Sequence, residues 1–273
     1  MTADLALLAA VVAVAGVGAG VLAGLLGVGG GIILVPALDY AFGAVGVASD
    51  LRMHLAVGTS LGSIIPTAIV SARSHRLRGG VDVDMARRWS PAIALGAALG
   101  TLIASNLGGK ALSGIFATVA LAVALRMIWR SRDSGPGPDR GPTRSAWLPM
   151  PVGIGAVSAL MGIGGGTLSV PAMTWLGVPV HRAVGTSAWF GLWIALPATV
   201  GYAWLGHGLE GLPVLSVGYV NLVALLVLLP STVVSAPLGA RLAHGLSRRQ
   251  LSLAFGCFLL LTAARMAYRS LSG

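Results

Sequence analysis

The sequence predicts an all-α polytopic membrane protein built from two homologous repeats. Of its 273 residues, 56% are hydrophobic and 10% are charged, whereas about a quarter of the residues of a soluble domain are charged. Uncharged apolar runs recur along the chain, and several reach the roughly 20 residues that a membrane-crossing helix needs. Two distant stretches are nearly identical, and each contains three consecutive glycines. These observations favour a multi-pass membrane protein.

The uncharged runs indicate where the helical segments lie. In order along the chain they are 5–26, 89–107, 111–125, 183–205, 212–238 and 251–264. The N-terminal run lacks the basic residues that precede the apolar core of a signal peptide. We therefore expect it to be a retained span.

Each predicted repeat opens with an apolar helix that glycines interrupt. Residues 25–37 read LLGVGGGIILVPA and residues 160–172 read LMGIGGGTLSVPA. Glycine weakens a helix and proline interrupts one, so each segment is expected to be a broken helix or a hairpin. We predict about four helical segments per repeat, counting each broken helix once.

A second motif follows each glycine break. Residues 54–60 read HLAVGTS and residues 181–187 read HRAVGTS, so six of seven positions are identical. The first membrane repeat is predicted to span residues 1–130 and the second residues 147–273. Between them, residues 131–146 are rich in glycine, proline and charge, which is typical of a polar loop, here a cytoplasmic linker.

The basic residues indicate orientation. The net charge is +10, but the basic residues cluster in short loops between apolar runs, as the positive-inside rule expects. This placement argues against nucleic-acid binding. If the second repeat is inverted relative to the first, both termini lie outside. Only four basic residues then lie outside, namely Arg52, Lys110, Arg265 and Arg269. We favour inversion, which is common in transporters, and parallel repeats stay open.

The glycine breaks predict an anion site. Glycines expose backbone N–H groups, and a helix that begins after the break has a partial positive charge at its start. Two such ends that meet near the midplane would hold a small anion between them. The alternative is that the glycines only allow close helix packing. The candidate substrate-binding residues of the breaks are Gly29, Gly30, Gly31, Pro36, Gly164, Gly165, Gly166, Thr167 and Pro171.

The second motif supplies further candidates. Its hydroxyls, on Thr59, Ser60, Thr186 and Ser187, are predicted to donate hydrogen bonds to the anion, although such side chains often bond to carbonyls of their own helix. The histidines that open the motif, His54 and His181, are candidates for proton or anion coupling, because an ionisable group at membrane depth suggests function. The alternative is that they contact headgroups or cap a neighbouring helix.

The sequence contains no signature of an enzyme. There is no metal-ligand spacing, nucleophile elbow or P-loop, and Cys257 is the single cysteine. We expect no cofactor and no metal. Asp39 and Asp50 are expected to pair with Arg52. The expected partners are a small anion, the lipid bilayer and a coupling proton or sodium ion, and the oligomeric state stays open.

The paired GGG-x-x-x-VPA and H-x-AVGTS motifs resemble those of the sulfite exporter TauE/SafE family, and the resemblance covers nearly the whole chain. It implies an integral inner-membrane protein of seven or eight helices that transports sulfite, sulfonates or other sulfur-containing or organic anions. We therefore expect a secondary transporter with alternating access. An anion channel and a non-transporting scaffold or receptor stay open as alternatives.

Overall fold

The computed structural model describes residues 2–26, 30–130, 149–245 and 248–272, and these residues form ten helices and a two-stranded hairpin. The all-α prediction is confirmed. The predicted linker, 131–146, lies outside the described residues. The elements are α1 Thr2–Leu26, α2 Gly31–Ala44, α3 Ser49–Leu77, α4 Val83–Ala104, α5 Gly109–Arg130, α6 Pro149–Met161, α7 Gly166–Trp175, α8 Val180–Leu205, β1 Ser216–Val217, β2 Val220–Asn221, α9 Leu222–Gly245 and α10 Arg248–Ser272.

Helix boundaries follow from local sequence. Asp82 caps α4 by accepting a hydrogen bond from the Met85 backbone N–H at 3.0 Å. α6 ends at Gly162, whose φ of +66° is the left-handed conformation that glycine adopts readily. The N–H of Ile163 then donates to the Ser158 carbonyl at 3.0 Å, as in the Schellman ending of a helix.

The two longest described helices, α3 and α8, pack against each other in opposite directions. Near the start of α3, Gly58 contacts Tyr202 near the end of α8. Near the start of α8, Gly185 contacts His75 near the end of α3. Both helices are long and apolar enough to cross a membrane. They form the centre of the molecule.

The outer helices pack in pairs through small residues. α1 runs beside α9, with Gly16 against Ser231, and α6 runs beside α4, with Gly155 against the Ile93 carbonyl. α5 pairs with α10, where Gly114 contacts Ser270. Small residues allow such close approach between helices in lipid. Counted in order, α1 to α5 of the first half correspond to α6 to α10 of the second half. Under this correspondence the α1–α9 pair matches the α6–α4 pair, whereas the α3–α8 pair and the α5–α10 pair each match themselves.

Basic residues concentrate at one end of this bundle, which we call the arginine-rich end. The end of α3, the start of α4 and the start of α8 lie there, with Arg73, Arg76, Arg78, Arg87, Arg88 and Arg182. The opposite, arginine-poor end contains the start of α3, the start of α5 and the end of α10. Its basic residues are Arg52, Lys110, Arg265 and Arg269.

Large apolar side chains cover much of the outer surface. Trp204, Leu261 and Val14 are 82%, 75% and 76% exposed. Besides α3 and α8, five shorter apolar helical segments occur within the described residues, at Leu8–Val21, Gly31–Ala44, Gly109–Leu125, Pro149–Met161 and Leu222–Ser235. Such a surface suits lipid rather than water.

Candidate functional site

The two glycine segments contact each other inside the molecule. A Cβ atom added at Gly31 would lie 2.7 Å from the carbonyl oxygen of Gly162 and 2.9 Å from the Cα atom of Ile163. Gly164 faces Ile64 on α3, and Gly165 lies against the Ser187 carbonyl on α8. The structure therefore brings the two predicted segments together between α3 and α8. Gly29 lies outside the described residues.

Both short helices begin without a side-chain cap. α2 follows Gly30 and α7 follows Gly165, and neither glycine supplies a capping side chain. The first free N–H groups of a helix and the partial positive charge there attract an anion. Pro36 in α2 and Pro171 in α7 lie inside the helices, where a proline cannot donate to the carbonyl four residues earlier.

Two buried hydroxyls in the first turn of α7 have no protein partner. Thr167 and Ser169 are 4% and 0% exposed, and neither Oγ1 of Thr167 nor Oγ of Ser169 has a hydrogen-bond partner among the described residues. A buried polar group without a partner costs about 1–3 kcal/mol. The corresponding positions of α2 are the apolar Ile32 and Leu34. The polar side chains of the two glycine segments thus belong to the second segment.

The hydroxyl oxygens of Thr59 and Thr186 accept hydrogen bonds from backbone N–H groups. The Asn221 N–H donates to Thr59 Oγ1 at 3.0 Å, and the Asp82 N–H donates to Thr186 Oγ1 at 2.9 Å. Asn221 also accepts from the Ala224 N–H at 2.8 Å, so it caps α9 as Asp82 caps α4. Each threonine therefore holds the residue at the start of a helix in the other half of the chain.

The glycine before each threonine permits this contact. A Cβ atom at Gly58 would lie 2.3 Å from the Tyr219 carbonyl oxygen, and one at Gly185 would lie 2.1 Å from the Gly80 carbonyl oxygen. We call the contact of Gly58 and Thr59 with 219–221 the Thr59 clasp, and that of Gly185 and Thr186 with 80–82 the Thr186 clasp. The first lies at the arginine-poor end and the second at the arginine-rich end.

The motif serines differ between the halves. Ser60 Oγ donates to the Gly162 carbonyl at 2.7 Å and thereby holds the second glycine segment against α3. Ser187 Oγ donates to the Val184 carbonyl of its own helix at 2.7 Å, which was the alternative expected from sequence. Neither serine has an open hydroxyl hydrogen for a ligand in this structure.

The two motif histidines lie in different environments. The side chain of His54 is buried, with Nε2 at 3.1 Å from the Ala104 carbonyl oxygen and Nδ1 at 3.3 Å from the Asp50 carbonyl oxygen. His181 is exposed in the first turn of α8. The same motif position is therefore buried in one half and exposed in the other.

The expected pairing of Asp39 with Arg52 is wrong. Asp39, buried on α2, pairs with Arg269 near the end of α10, and Arg269 also donates to the Ser49 carbonyl at 2.9 Å. Arg265, one turn earlier on α10, lies over the Tyr40 ring with its guanidinium carbon 4.9 Å from the ring centroid. Sequence reasoning missed this pair because 230 residues separate its members.

Metal-ligating side chains do not cluster within the described residues, where no group of three His, Cys, Asp or Glu side chains could hold an ion. Neither residues 5–38 nor residues 145–180 contain a Lys, Arg, Asp or Glu. The glycine segments therefore supply only backbone groups and hydroxyls as polar groups of their own.

Comparison with known proteins gives consistent results. The family model described as Sulfite exporter TauE/SafE matches residues 12–266. A Haemophilus influenzae protein named a probable membrane transporter protein is 32% identical over 91% of this chain and 94% of its own length. Proteins with that name from Methanocaldococcus jannaschii and Bacillus subtilis are 26% and 23% identical, over 88% and 96% of this chain and 88% and 98% of their own lengths. No solved structure matches.

Proposed function

Because this chain belongs to the sulfite exporter TauE/SafE family of membrane transporters, we propose that it is a secondary transporter of a small anion. The leading substrates are sulfite and organosulfonates, and other sulfur-containing or organic anions are the wider class. One observation carries the proposal: Thr167 and Ser169 are buried without partners at the uncapped start of α7, beside the other glycine segment.

The chemistry of this place suits an oxyanion. Oxygen atoms of sulfite or a sulfonate only accept hydrogen bonds, and the segments offer donors, namely the first N–H groups of α2 and α7 and the two free hydroxyls. We propose Gly29–Gly31 and Gly164–Gly166 as the backbone part of the site and Thr167 and Ser169 as the side-chain part. Pro36 in α2 and Pro171 in α7 restrict the backbone of the two short helices that begin at this site. N–H and hydroxyl groups hold an anion less tightly than a cationic side chain does, so the anion can be released as well as captured.

Thr59, Ser60, Thr186 and Ser187 border this site in the proposal. The Ser60 and Ser187 hydroxyls already donate to carbonyls, so either must give up that bond before it can donate to the anion. The Thr59 and Thr186 oxygens accept from N–H groups, and their hydroxyl hydrogens can still donate. The main part of these four residues in transport is to position the glycine segments and the starts of α4 and α9.

An inverted repeat is the architecture that we propose for the two membrane repeats. The opposite directions of α3 and α8 support it, because helices related by a two-fold axis in the membrane plane run antiparallel. The α1–α9 pair matches the α6–α4 pair when the two halves are compared, and this match supports the same axis. The arginine-rich end then faces the inside, in agreement with the positive-inside rule, and the chain spans the inner membrane several times.

The two clasps support alternating access. They lie at opposite ends of the α3–α8 pair, and each joins the two halves of the chain. Opening the Thr59 clasp would expose the site to the arginine-poor side, and opening the Thr186 clasp would expose it to the arginine-rich side. A channel would require both to open together.

The proposed site is tested by removing its free hydroxyls. The double variant Thr167→Val, Ser169→Ala removes two donors without changing the size of either side chain much. Each neutral hydrogen bond is worth about 0.5–1.5 kcal/mol, so loss of two should raise the half-saturating sulfite concentration in liposome counterflow by about five-fold to a hundred-fold. Taurine, thiosulfate, sulfate and sulfoacetate, tested in parallel, define the preferred anion.

Thr174→Val is the matched control. Thr174 lies on the same helix, and its hydroxyl bonds to the Pro171 carbonyl at 3.0 Å. This variant should leave the half-saturating concentration unchanged. An unchanged value in the double variant as well would remove Thr167 and Ser169 from the site. Saturable sulfite binding without any flux would favour the receptor alternative.

A further inference from the structure

The ring of His54 lies within hydrogen-bond distance of two backbone acceptors, and no donor to it is found among the residues that the structure describes. Nε2 lies 3.1 Å from the Ala104 carbonyl oxygen, and Nδ1 lies 3.3 Å from the Asp50 carbonyl oxygen. A neutral imidazole has one N–H donor and one acceptor nitrogen, whereas an imidazolium has two donors. Only the protonated ring therefore satisfies both contacts. In either neutral form, one nitrogen lone pair faces a carbonyl oxygen.

The surroundings also favour a positive charge. Ala104 is the last residue of α4, and the end of a helix carries a partial negative charge. The Tyr219 ring stacks on His54 with 5.0 Å between ring centroids, within the range where an aromatic face attracts a cation. The Tyr202 ring lies 6.4 Å away.

Few other titratable groups face His54. On its own helix, the Asp50 side chain is exposed and accepts from Ser49 Oγ at 3.1 Å, and Arg52 lies against Gly43 of α2. Around it, α8 contributes Tyr202 and the loop before α9 contributes Tyr219. Residues 95–109, which include the end of α4, contain no titratable side chain, and Lys110 on α5 is exposed.

We propose that His54 is a proton-binding site of the arginine-poor end and that its proton holds this end closed. The imidazolium joins the start of α3 to the end of α4. Loss of the proton leaves one N–H for the two carbonyls, of which only that of Ala104 lies on α4, and it removes the charge that the end of α4 and the Tyr219 ring attract, so this connection weakens. Thr59 follows on the same helix, and the stacked Tyr219 belongs to the Thr59 clasp. The protonation state of His54 is thereby coupled to the opening of that clasp.

This inference rests on the proposed function only where it links the proton to transport. Binding of the proton itself follows from the His54 contacts and is measurable without a substrate. His181 is exposed in the other half, so we expect it to contribute nothing to the effect. Protonation would then affect opening at the arginine-poor end only, so opening toward the two sides of the membrane would differ in its dependence on pH.

The proton site is tested first by nitrogen NMR of histidine-labelled protein in lipid nanodiscs, with no anion present. His54→Gln identifies the His54 signal, and if that variant does not fold, single Gln variants at the other four histidines identify it by elimination. Spectra recorded from acid to alkaline pH should show a ring with two N–H groups that gives up one, since both ring nitrogens face carbonyl oxygens. A ring with a single N–H over the whole range would overturn the proposal.

The link to transport is tested by the pH dependence of sulfite exchange. Sulfite itself changes charge in this range, so the two proteins are compared: from about pH 5 to 8 the wild-type rate should rise several-fold more than the rate of His54→Gln, because only the wild type has a proton to lose at this site. Exchange by His54→Gln should stay saturable. His207→Gln, an exposed histidine in the turn after α8, should keep the wild-type dependence. The same dependence in His54→Gln would overturn the coupling. Absence of wild-type sulfite exchange would instead count against the proposed substrate and leave the NMR result to decide on the proton site.

Discussion

At the scale of single residues, the repeated AVGTS motif has a physical explanation in contacts between the halves. Its glycine allows a carbonyl to approach, and its threonine accepts a hydrogen bond from the N–H of a helix-capping residue. The sequence alone identified the motif and its repetition. It could not identify the partners, because Thr59 and Asn221 are 162 residues apart and the bonded group is a backbone N–H that any residue would carry.

The clasps predict a loss of stability in Thr59→Val and in Thr186→Val. Thr59→Val leaves the buried Asn221 N–H without an acceptor, and Thr186→Val does the same to the partly buried Asp82 N–H. An unpaired N–H costs about 1–3 kcal/mol when it is fully buried. Both variants should therefore denature at lower temperature than the wild type in detergent. Thr118→Val is the control, because the exposed Thr118 hydroxyl bonds only to the Gly114 carbonyl of its own helix. Wild-type stability in both clasp variants would contradict the assignment.

At the scale of helices, the second glycine segment contains local signals for the end of one helix and the start of another. The break after Met161 and the restart at Gly166 follow from glycine and helix-end chemistry that is local. The sequence predicted that two helix ends would meet, and it did not indicate that Gly31 would contact Gly162. The pairing of Asp39 with Arg269 was not foreseen, since no local pattern distinguishes Arg269 from Arg52 as a partner.

Alanine substitutions in the two glycine segments should have unequal effects. A Cβ atom at Gly31 would lie 2.7 Å from a backbone oxygen, so Gly31→Ala forces α2 and the second segment apart. At Gly164 the nearest atom would be 3.6 Å away, on the flexible side chain of Ile64. We expect Gly31→Ala to lower the denaturation temperature and the yield of folded protein, whereas Gly164→Ala folds normally. Equal stability of the two variants would contradict the packing of the segments.

At the scale of the whole molecule, the antiparallel α3–α8 pair places the ends of these helices on opposite sides. The positive-inside rule and the inverted model made the same assignment from charge alone, because the four basic residues expected outside all lie at the arginine-poor end. Charge counting could not define how α3 and α8 pack against each other. The direction of α8 relative to α3 depends on contacts between residues more than 100 positions apart.

Sided labelling should show this arrangement. Single cysteines at Arg78, after α3, and at Glu210, in the turn region after α8, would be introduced into a Cys257→Ser background. In intact cells we expect an impermeant thiol reagent to label Glu210→Cys and not Arg78→Cys. Permeabilised cells provide the control, since both should then react. Labelling of both cysteines from the same side would be incompatible with the antiparallel α3–α8 pair.

The most direct test of the account is uphill transport by the purified protein in liposomes. A transporter that opens its two clasps in turn should accumulate sulfite against its electrochemical gradient when a proton gradient is imposed, with a flux that saturates. The accumulation should disappear when the proton gradient is collapsed. Sulfite flux that never saturates and only runs downhill would contradict alternating access and would indicate a channel.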